Sequence, residues 1–422
     1  MRKVVRGRVN RGAWVAVLLL VMGGVLGAPA LASSPGADPS PAASVVAAPA
    51  AAAAADAAPP TLTAVLSAAA VVFGDAVTVT GALEPAAEGQ AVVIRLDGVE
   101  VASAVTDADG AYRASFRPQR GGALVAELPG SDPAVVSPAA ALAVKPKAGV
   151  SHGQLVPFLP SRFVLKVTPA SYSGVVTLRV VHRKAAVGTY KVRVRDGKAV
   201  FRAPLRGVDG FTLTFSLPAA DGLARRTVQA KVTLPARTLK AGARGPYVKG
   251  MLTGLKRLKF HVPGLGVGFT SPVRDVVMAF RKAYRMPRSY VFDAACWRKL
   301  DRAKRIKVRF SSPATHIEID KTRQILTIVK AGKPWGIICV STGATGNTPE
   351  GRFRIQQKHP YTSTPYGGTM IRTMGFLGNY AMHGWPDVPP YPASHGCVRE
   401  PIWACYWVYD NSWVGETVYV YR

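Results

Sequence analysis

The chain has 422 residues, of which 48% are hydrophobic and 18% are charged, and its formal net charge is +30. This length exceeds that of one ordinary domain, and the apolar content excludes a largely disordered protein. Four cysteines, Cys296, Cys339, Cys397 and Cys405, are too few for a disulfide-dense scaffold.

The N-terminal segment has the pattern of an export signal. Five Lys and Arg side chains precede the uncharged apolar run from Ala13 to Gly27, and Ala30 and Ala32 supply a small-residue cleavage pattern. We predict a signal peptide over residues 1–32, a secreted protein that is extracytoplasmic or cell-wall-associated, and no stable membrane span after cleavage. An uncleaved anchor is the alternative, although the run has about fifteen residues and a spanning helix needs about 20.

The next segments predict a linker followed by a β domain. Residues 33–60 are almost wholly Ala, Pro and Ser, a composition that cannot bury a core. Alternating runs such as 91–96, separated by Gly, Asp and Pro, predict strands over residues 61–147. The turn at residues 106–112 resembles that of secreted immunoglobulin-like spacer domains, and this resemblance implies a β-sandwich.

A second β-sandwich-like domain is predicted over residues 148–238, with strands such as 175–181 and a turn at 195–197. Two sandwiches in series resemble the spacers of surface proteins in architecture.

The basic charge is concentrated in the later part of the chain. Residues 33–147 carry six basic and eleven acidic side chains, whereas residues 148–422 carry 43 basic and 13 acidic ones. Such a surface indicates an anionic partner. For an exported protein we expect anionic wall polymers, peptide-stem carboxylates or lipid, and no nucleic acid. A basic surface that only confers solubility is the alternative.

Residues 243–303 change to helical spacing, in which apolar residues recur every three to four positions. The pattern resembles the small three-helix peptidoglycan-binding module, through Gly245, Val248, Leu252, Leu255, Val276, Phe280, Asp293, Trp297 and Leu300. Most of these are core positions, so a helical bundle without a ligand is the alternative.

Strand patterns return from about residue 314, and they lead to a cysteine flanked by polar and small residues. The run Ser394, His395, Gly396 and Cys397 lies downstream of His383, and Cys397 is fourteen residues after it. A thiol is mostly protonated at neutral pH, so a catalytic cysteine needs a base, and imidazole can take its proton and return it. We expect Gly384 to allow a sharp turn whose carbonyl fixes the His383 ring. We expect main-chain N–H groups near Gly396 to form an oxyanion hole.

This segment resembles the S-H-G-C-V-R signature of the YkuD-type L,D-transpeptidases, with Arg399 as its last residue. The segments 341–343, 348–353 and 415–420 resemble further parts of the family pattern, so the resemblance covers residues 314–422. It implies a mainly β catalytic domain in which Cys397 is the nucleophile and His383 the proton donor and acceptor. Further residues are implied to shape the site: His395, Gly396, Ser394, Arg399 and Gly384.

The resemblance also implies an activity. The protein would form a thioester with a peptidoglycan tetrapeptide stem, release D-Ala and make 3→3 cross-links, without a metal or an organic cofactor. Water or a protein amine as acceptor would instead give an L,D-carboxypeptidase or protein-to-wall attachment. A wall-binding protein without catalysis is the alternative from another class.

Residues 356–379 resemble the family's substrate-covering flap, and we expect Tyr361, Tyr366 and Met370 to bind the donor stem. Two further alternatives concern the cysteines and histidines. His383, His395 and Cys397 are possible zinc ligands, but a fourth ligand at suitable spacing is missing. Cys296 and Cys339 are the only pair we consider for a disulfide, and the sequence does not decide whether it forms.

Overall fold

The computed structural model describes residues 59–364 and 367–422. The predicted signal peptide and nearly all of the predicted linker lie outside the described residues, as does Tyr366. The fold is mainly β, as expected, with helices inserted between the β regions and the C-terminal part.

The first β region consists of two facing sheets. One sheet joins β1, β4, β2 and β7, and the other joins β3, β10, β8, β5, β6 and β9. Buried and less buried residues alternate along β5, which places Val92, Ile94 and Leu96 in the core. The strands are β1 (Thr61–Leu62), β2 (Val65–Leu66), β3 (Ala70–Val72), β4 (Val77–Glu84), β5 (Ala91–Leu96), β6 (Val99–Val105), β7 (Ala111–Phe116), β8 (Gly122–Leu128), β9 (Val135–Val136) and β10 (Ala140–Lys145).

The second β region has a three-stranded sheet, β11–β12–β15, and a four-stranded sheet, β14–β13–β16–β17, all antiparallel. Phe201 and Phe215 make an edge-to-face contact at 5.5 Å between the two sheets. The strands are β11 (Lys147–His152), β12 (Pro160–Thr168), β13 (Val175–His182), β14 (Ala185–Arg193), β15 (Lys198–Pro204), β16 (Asp209–Leu217) and β17 (Arg226–Leu234). Only Pro146 separates β10 from β11, and one hydrophobic cluster runs through both regions.

Three helices follow: α1 (Pro246–Arg257), α2 (Ser271–Ala283) and α3 (Ala294–Arg302). Pro246 and Pro272 occupy first-turn positions, where a missing N–H costs nothing. The Asp293 side chain caps α3 by accepting a hydrogen bond from the Cys296 amide at 2.9 Å. The apolar residues that predicted these helices form their common core, including Val248, Leu252, Phe280 and Trp297.

The C-terminal part has two sheets, ordered β20–β19–β18–β26–β21 and β22–β23–β24–β25. A hydrophobic cluster between them includes Ile317, Ile328, Met374, Met382 and Val398. The elements are β18 (His316–Asp320), β19 (Ile325–Lys330), β20 (Lys333–Cys339), β21 (Gly351–Arg354), β22 (Gln357–Ser363), β23 (Thr369–Leu377), β24 (Tyr380–Trp385), β25 (Val398–Pro401), α4 (Ile402–Asp410) and β26 (Thr417–Tyr421).

The helical segment packs directly on this C-terminal part. The His261 amide donates to the Ile337 carbonyl at 3.0 Å, and the Ile337 amide donates to the Lys259 carbonyl at 2.9 Å, so residues 259–261 cover the edge of β20. The Trp403 indole donates to Asp275 at 3.0 Å. The helical segment is therefore packed against the C-terminal sheet and is not joined to it only by a flexible linker.

All four cysteines are free thiols, and Cys296 and Cys339 are both buried. The disulfide considered from the sequence is therefore not formed in this structure. No helix among the described residues is both long enough and apolar enough to cross a membrane.

Candidate active site

The strand β24 and the turn before β25 open into one cavity of about 710 Å³. Its walls include His383, Ser394, His395, Gly396, Cys397 and Arg399, and Met370 also lines it. The structure therefore brings together residues that are separated by up to 29 positions in the sequence. A cavity of this size suits a small peptide segment.

The His383 ring is buried, and its orientation is fixed by the main chain. Its Nδ1 lies 3.2 Å from the Gly384 carbonyl oxygen, which can only accept, so Nδ1 carries the proton and Nε2 is left as an acceptor. Burial lowers the pKa of His383 to about 4, with a smaller contribution from the Arg399 charge. The ring is therefore neutral at neutral pH and is able to accept a proton.

Cys397 has an accessible thiol at the cavity wall, and this thiol donates to the Asn379 carbonyl at 3.5 Å. Burial raises the pKa of Cys397, while the Ala381 backbone and the Arg399 charge oppose that rise. The free site therefore contains a neutral thiol and a neutral imidazole, not a preformed ion pair. Attack by the sulfur requires a base to remove its proton.

Hydrogen bonds within the turn hold Cys397 in place. The Ser394 hydroxyl donates to the Cys397 carbonyl at 2.5 Å and accepts from the Gly396 amide at 3.0 Å. Gly396 has φ +141°, and a Cβ there would lie 2.7 Å from the Tyr380 ring, so this position requires glycine. The Gly396 amide is therefore already engaged, which corrects its expected place in an oxyanion hole. The expectation of an oxyanion hole near Gly396 therefore rests on the Cys397 amide.

A second set of side chains supports the same turn, and the sequence analysis missed it. The Thr348 hydroxyl donates to the Gly396 carbonyl at 2.7 Å and accepts from the Gly343 amide at 2.8 Å. The Asn347 amide group donates to the His395 carbonyl at 2.8 Å. The segment 348–353 matches a family pattern in the sequence, but that pattern does not indicate this contact.

Comparison with known proteins supports the assignment of this part of the chain. Residues 314–420 match the family model of YkuD, the L,D-transpeptidase catalytic domain. The chain is 32% identical to the L,D-transpeptidase (residues 123–326) from Xylanimonas cellulosilytica DSM 15894, over 44% of this chain and 99% of that one, with a TM-score of 0.42. Residues 314–420 are therefore a YkuD-type L,D-transpeptidase catalytic domain.

Two further solved structures are similar at lower identity. The L,D-transpeptidase of Stackebrandtia nassauensis is 20% identical over 45% of this chain and 98% of its own, with a TM-score of 0.30. An L,D-transpeptidase from Mycobacterium tuberculosis H37Rv is 11% identical over 66% of this chain and 98% of its own, with a TM-score of 0.25. No curated protein sequence matches the chain. The immunoglobulin-like and peptidoglycan-binding-like assignments of the earlier segments stay predictions.

Gly384 of the transpeptidase domain lies behind the site, within a strand. It pairs with Ile371 and Glu400 within β24, one residue before the strand ends, so it does not form the sharp turn expected from the sequence. A Cβ at this position would lie 2.4 Å from the Cys405 sulfur, which explains the need for glycine. Its carbonyl does fix the His383 ring, as expected.

Arg399 sits on β25 opposite His383, and its side chain lies over the Trp385 ring at 5.3 Å. Its backbone pairs with Ser341 through hydrogen bonds of 2.9 and 3.0 Å. This cation is in the cavity wall and helps to keep the His383 ring neutral.

The predicted flap is a hairpin formed by β22 and β23, and Met370 contributes to the cavity wall as expected. Tyr361 does not: its side chain is 64% exposed and lies beside Tyr406, outside the cavity. The physical reason is an irregularity at Arg372, which has φ +52° and faces Pro360 across the hairpin. Because of this irregularity, the set of hairpin side chains that face the site changes on either side of Arg372.

Two basic residues of the helical segment support the loop that precedes Ser394. The buried Lys282 ammonium donates to the Val340 carbonyl at 2.8 Å and to Pro389 at 3.5 Å, and Arg288 donates to Pro390 at 2.6 Å. Burial lowers the pKa of Lys282 to about 8. The sequence offered no signal for this contact, because a lysine in the last turn of a helix is normally solvated.

The zinc alternative finds no support in the site geometry. Among residues 59–364 and 367–422, no three His, Cys, Asp or Glu side chains are placed to share a metal ion. His395 is exposed and its carbonyl is held by Asn347, which is compatible with the shaping role expected for it.

Proposed function

We propose that the chain is a cysteine-dependent L,D-transpeptidase that acts on the tetrapeptide stems of peptidoglycan. The observation that carries this proposal is that Cys397 and His383 line the same cavity. The Nδ1 of His383 is hydrogen-bonded to the Gly384 carbonyl, so its Nε2 is left to accept a proton. The chemistry follows from this geometry and from the family of the domain.

In the first step, His383 Nε2 takes the thiol proton while Cys397 Sγ attacks the carbonyl at the L-centre of the third stem residue, a diamino acid. The C–N bond to the terminal D-Ala breaks, and the imidazolium returns the proton to the leaving amine. The product is a thioester acyl-enzyme. The amide of Cys397 is the main-chain donor next to the oxygen that gains charge.

In the second step, the side-chain amine of another stem attacks the thioester. His383 takes a proton from this amine, the C–S bond breaks and the thiol recovers its proton. The result is a 3→3 cross-link and an unmodified enzyme. None of these steps uses a metal or an organic cofactor.

We further propose that the protein acts outside the cytoplasm, after removal of residues 1–32. The basic n-region, the apolar run and the small-residue cleavage pattern support export. Mass spectrometry of the mature N-terminus tests this, with Ser33 as the expected first residue and an intact N-terminus as the contradicting result.

The related activities differ only in the acceptor. Water in place of the amine makes the enzyme an L,D-carboxypeptidase, and a protein amine makes it a protein-to-wall ligase. A wall-binding protein without catalysis would leave the stems intact.

The test is incubation of the mature chain with a disaccharide-tetrapeptide, followed by liquid chromatography and mass spectrometry. We expect free D-Ala together with a dimer that is lighter than two substrates by one D-Ala. Cys397→Ala abolishes both products, whereas Cys405→Ala, at a buried thiol outside the cavity, retains them. D-Ala and tripeptide without dimer would identify a carboxypeptidase. No turnover by folded enzyme would contradict the proposal.

A further inference from the structure

The outward face of the sheet β11–β12–β15 is basic along its whole width. Arg162 and Lys166 on β12, and Lys198 and Arg202 on β15, are exposed, while the residues that alternate with them point into the core. Lys147 on β11 is exposed beside them. None of the three strands contains an acidic residue.

The strand register places these cations opposite one another. Arg162 pairs with Arg202 and Lys166 pairs with Lys198, as direct cross-strand neighbours. Such neighbours have Cβ atoms only about 4.5–5.5 Å apart, and like charges in this arrangement destabilise a sheet. The two pairs are about 13 Å apart along the strands, at about 3.3 Å per residue. The two like-charged pairs lower the stability of the sheet, and the requirements of folding do not explain why they are present.

No acidic side chain of the described residues forms an ion pair with the four cations of this face, Arg162, Lys166, Lys198 and Arg202. In the first β region, by contrast, the strand residue Arg95 is paired with Glu127 at 2.6 Å. The surface beside the cations is also open, because a Cβ at Gly149 would meet nothing within 4 Å.

We propose that this face, which we call the basic face and define by Arg162, Lys166, Lys198 and Arg202, binds a linear polymer that carries phosphate groups. The guanidinium fork matches phosphate oxygens, and two cationic side chains whose Cβ atoms lie about 5 Å apart can reach the same phosphate. Successive phosphates would neutralise both pairs and relieve their repulsion. The inference goes beyond the transpeptidase reaction and does not depend on it.

The test uses the mature chain and long-chain inorganic polyphosphate as the probe, with affinity measured over a range of salt concentrations. The test variant carries R162Q, K166Q, K198Q and R202Q. The matched control carries R179Q, K191Q, R225Q and K231Q, which remove the same number of exposed Arg and Lys charges elsewhere in the second β region. Poly-L-glutamate serves as a carboxylate polymer for comparison.

We expect the test variant to lose about tenfold or more in affinity at moderate salt, and its salt slope to fall by about 3. The control should lose much less. Melting of the test variant should occur at the same or a higher temperature, because the paired like charges are gone. Equal losses in both variants would show that net charge alone causes binding, and unchanged affinity would exclude the face; either result overturns the proposal. Equally tight binding of poly-L-glutamate, lost in the same variant, would overturn the phosphate assignment.

Discussion

The two walls of the active-site cavity are built differently. The wall around Cys397 is a turn that is fixed by hydrogen bonds from Ser394, Thr348 and Asn347. A second wall is the hairpin β22–β23, which lines the cavity through side chains such as Thr362 and Met370. The Thr362 hydroxyl is buried and has no hydrogen-bond partner among the described residues. The hydrogen bonds that position reacting groups are thus concentrated around Cys397, whereas the hairpin mainly provides surface for contact with a ligand.

The largest expected difference concerns two histidines that line the cavity. His383 lies on β24, which pairs with β25 directly after the Cys397 turn, and His359 lies on the hairpin. We predict that His383→Gln lowers the rate of thioester formation by about 10²–10⁴, because the general base is lost. His359→Gln should change it by less than about threefold. Stopped-flow or quench measurements of acylation decide this, and similar losses in both variants would refute the division of roles.

The pH dependence of acylation should report the neutral state of His383. Burial lowers the pKa of this ring to about 4, so the ring is protonated and unable to accept a proton only below that pH. The acylation rate should therefore be nearly constant from about pH 5 to 7 and fall about tenfold per unit below pH 4. A fall that begins near the ordinary histidine value of about 6.5 would contradict the burial argument.

Replacing a threonine by valine on each wall should give a smaller difference in stability and acylation rate. Thr348→Val removes a donor and an acceptor from a buried position, leaving the Gly396 carbonyl and the Gly343 amide unsatisfied. The loss of each buried partner costs about 1–3 kcal/mol, so we expect lower stability and acylation slower by about tenfold. Thr362→Val removes no hydrogen bond of this structure and should have little effect. Thermal melts and acylation rates of both variants test this, and an equal effect would contradict it.

The smallest expected effect lies within the hairpin. Met370→Ala removes part of the cavity wall and should raise KM a few-fold, whereas Tyr361→Ala, outside the cavity, should leave KM and kcat unchanged. Steady-state kinetics with a tetrapeptide substrate measure both. A larger change in the Tyr361 variant would show that the hairpin presents its other face to the substrate.

The wall around Cys397 was also the more predictable one from the sequence. A cysteine between Gly396 and Arg399, with His383 upstream, has few structural explanations, so its chemistry, its spacing and the family resemblance all indicated the same site. The helices could be predicted from the spacing of residues such as Val248 and Leu252, because a buried helix face repeats locally. These signals depend on nearby residues only.

The remaining features depend on backbone geometry or distant contacts. The positive φ of Arg372 changes which hairpin side chains face the cavity, and an arginine in the sequence does not indicate a positive φ. Lys282 reaches Val340 only because α2 packs on the C-terminal sheet. The sequence suggested that Gly384 is a turn residue. Glycine is instead required there because a Cβ would clash with the sulfur of Cys405, 21 positions away.

The proposed function depends on Cys397 as an accessible nucleophile whose proton is taken by His383. Its most direct test is the intact mass of residues 33–422 after mixing with a carbapenem, beside the Cys397→Ala and Cys405→Ala variants. We predict one covalent adduct on the wild type and on Cys405→Ala, and none on Cys397→Ala. An adduct that persists in Cys397→Ala, or its absence from folded wild-type protein, would contradict the account.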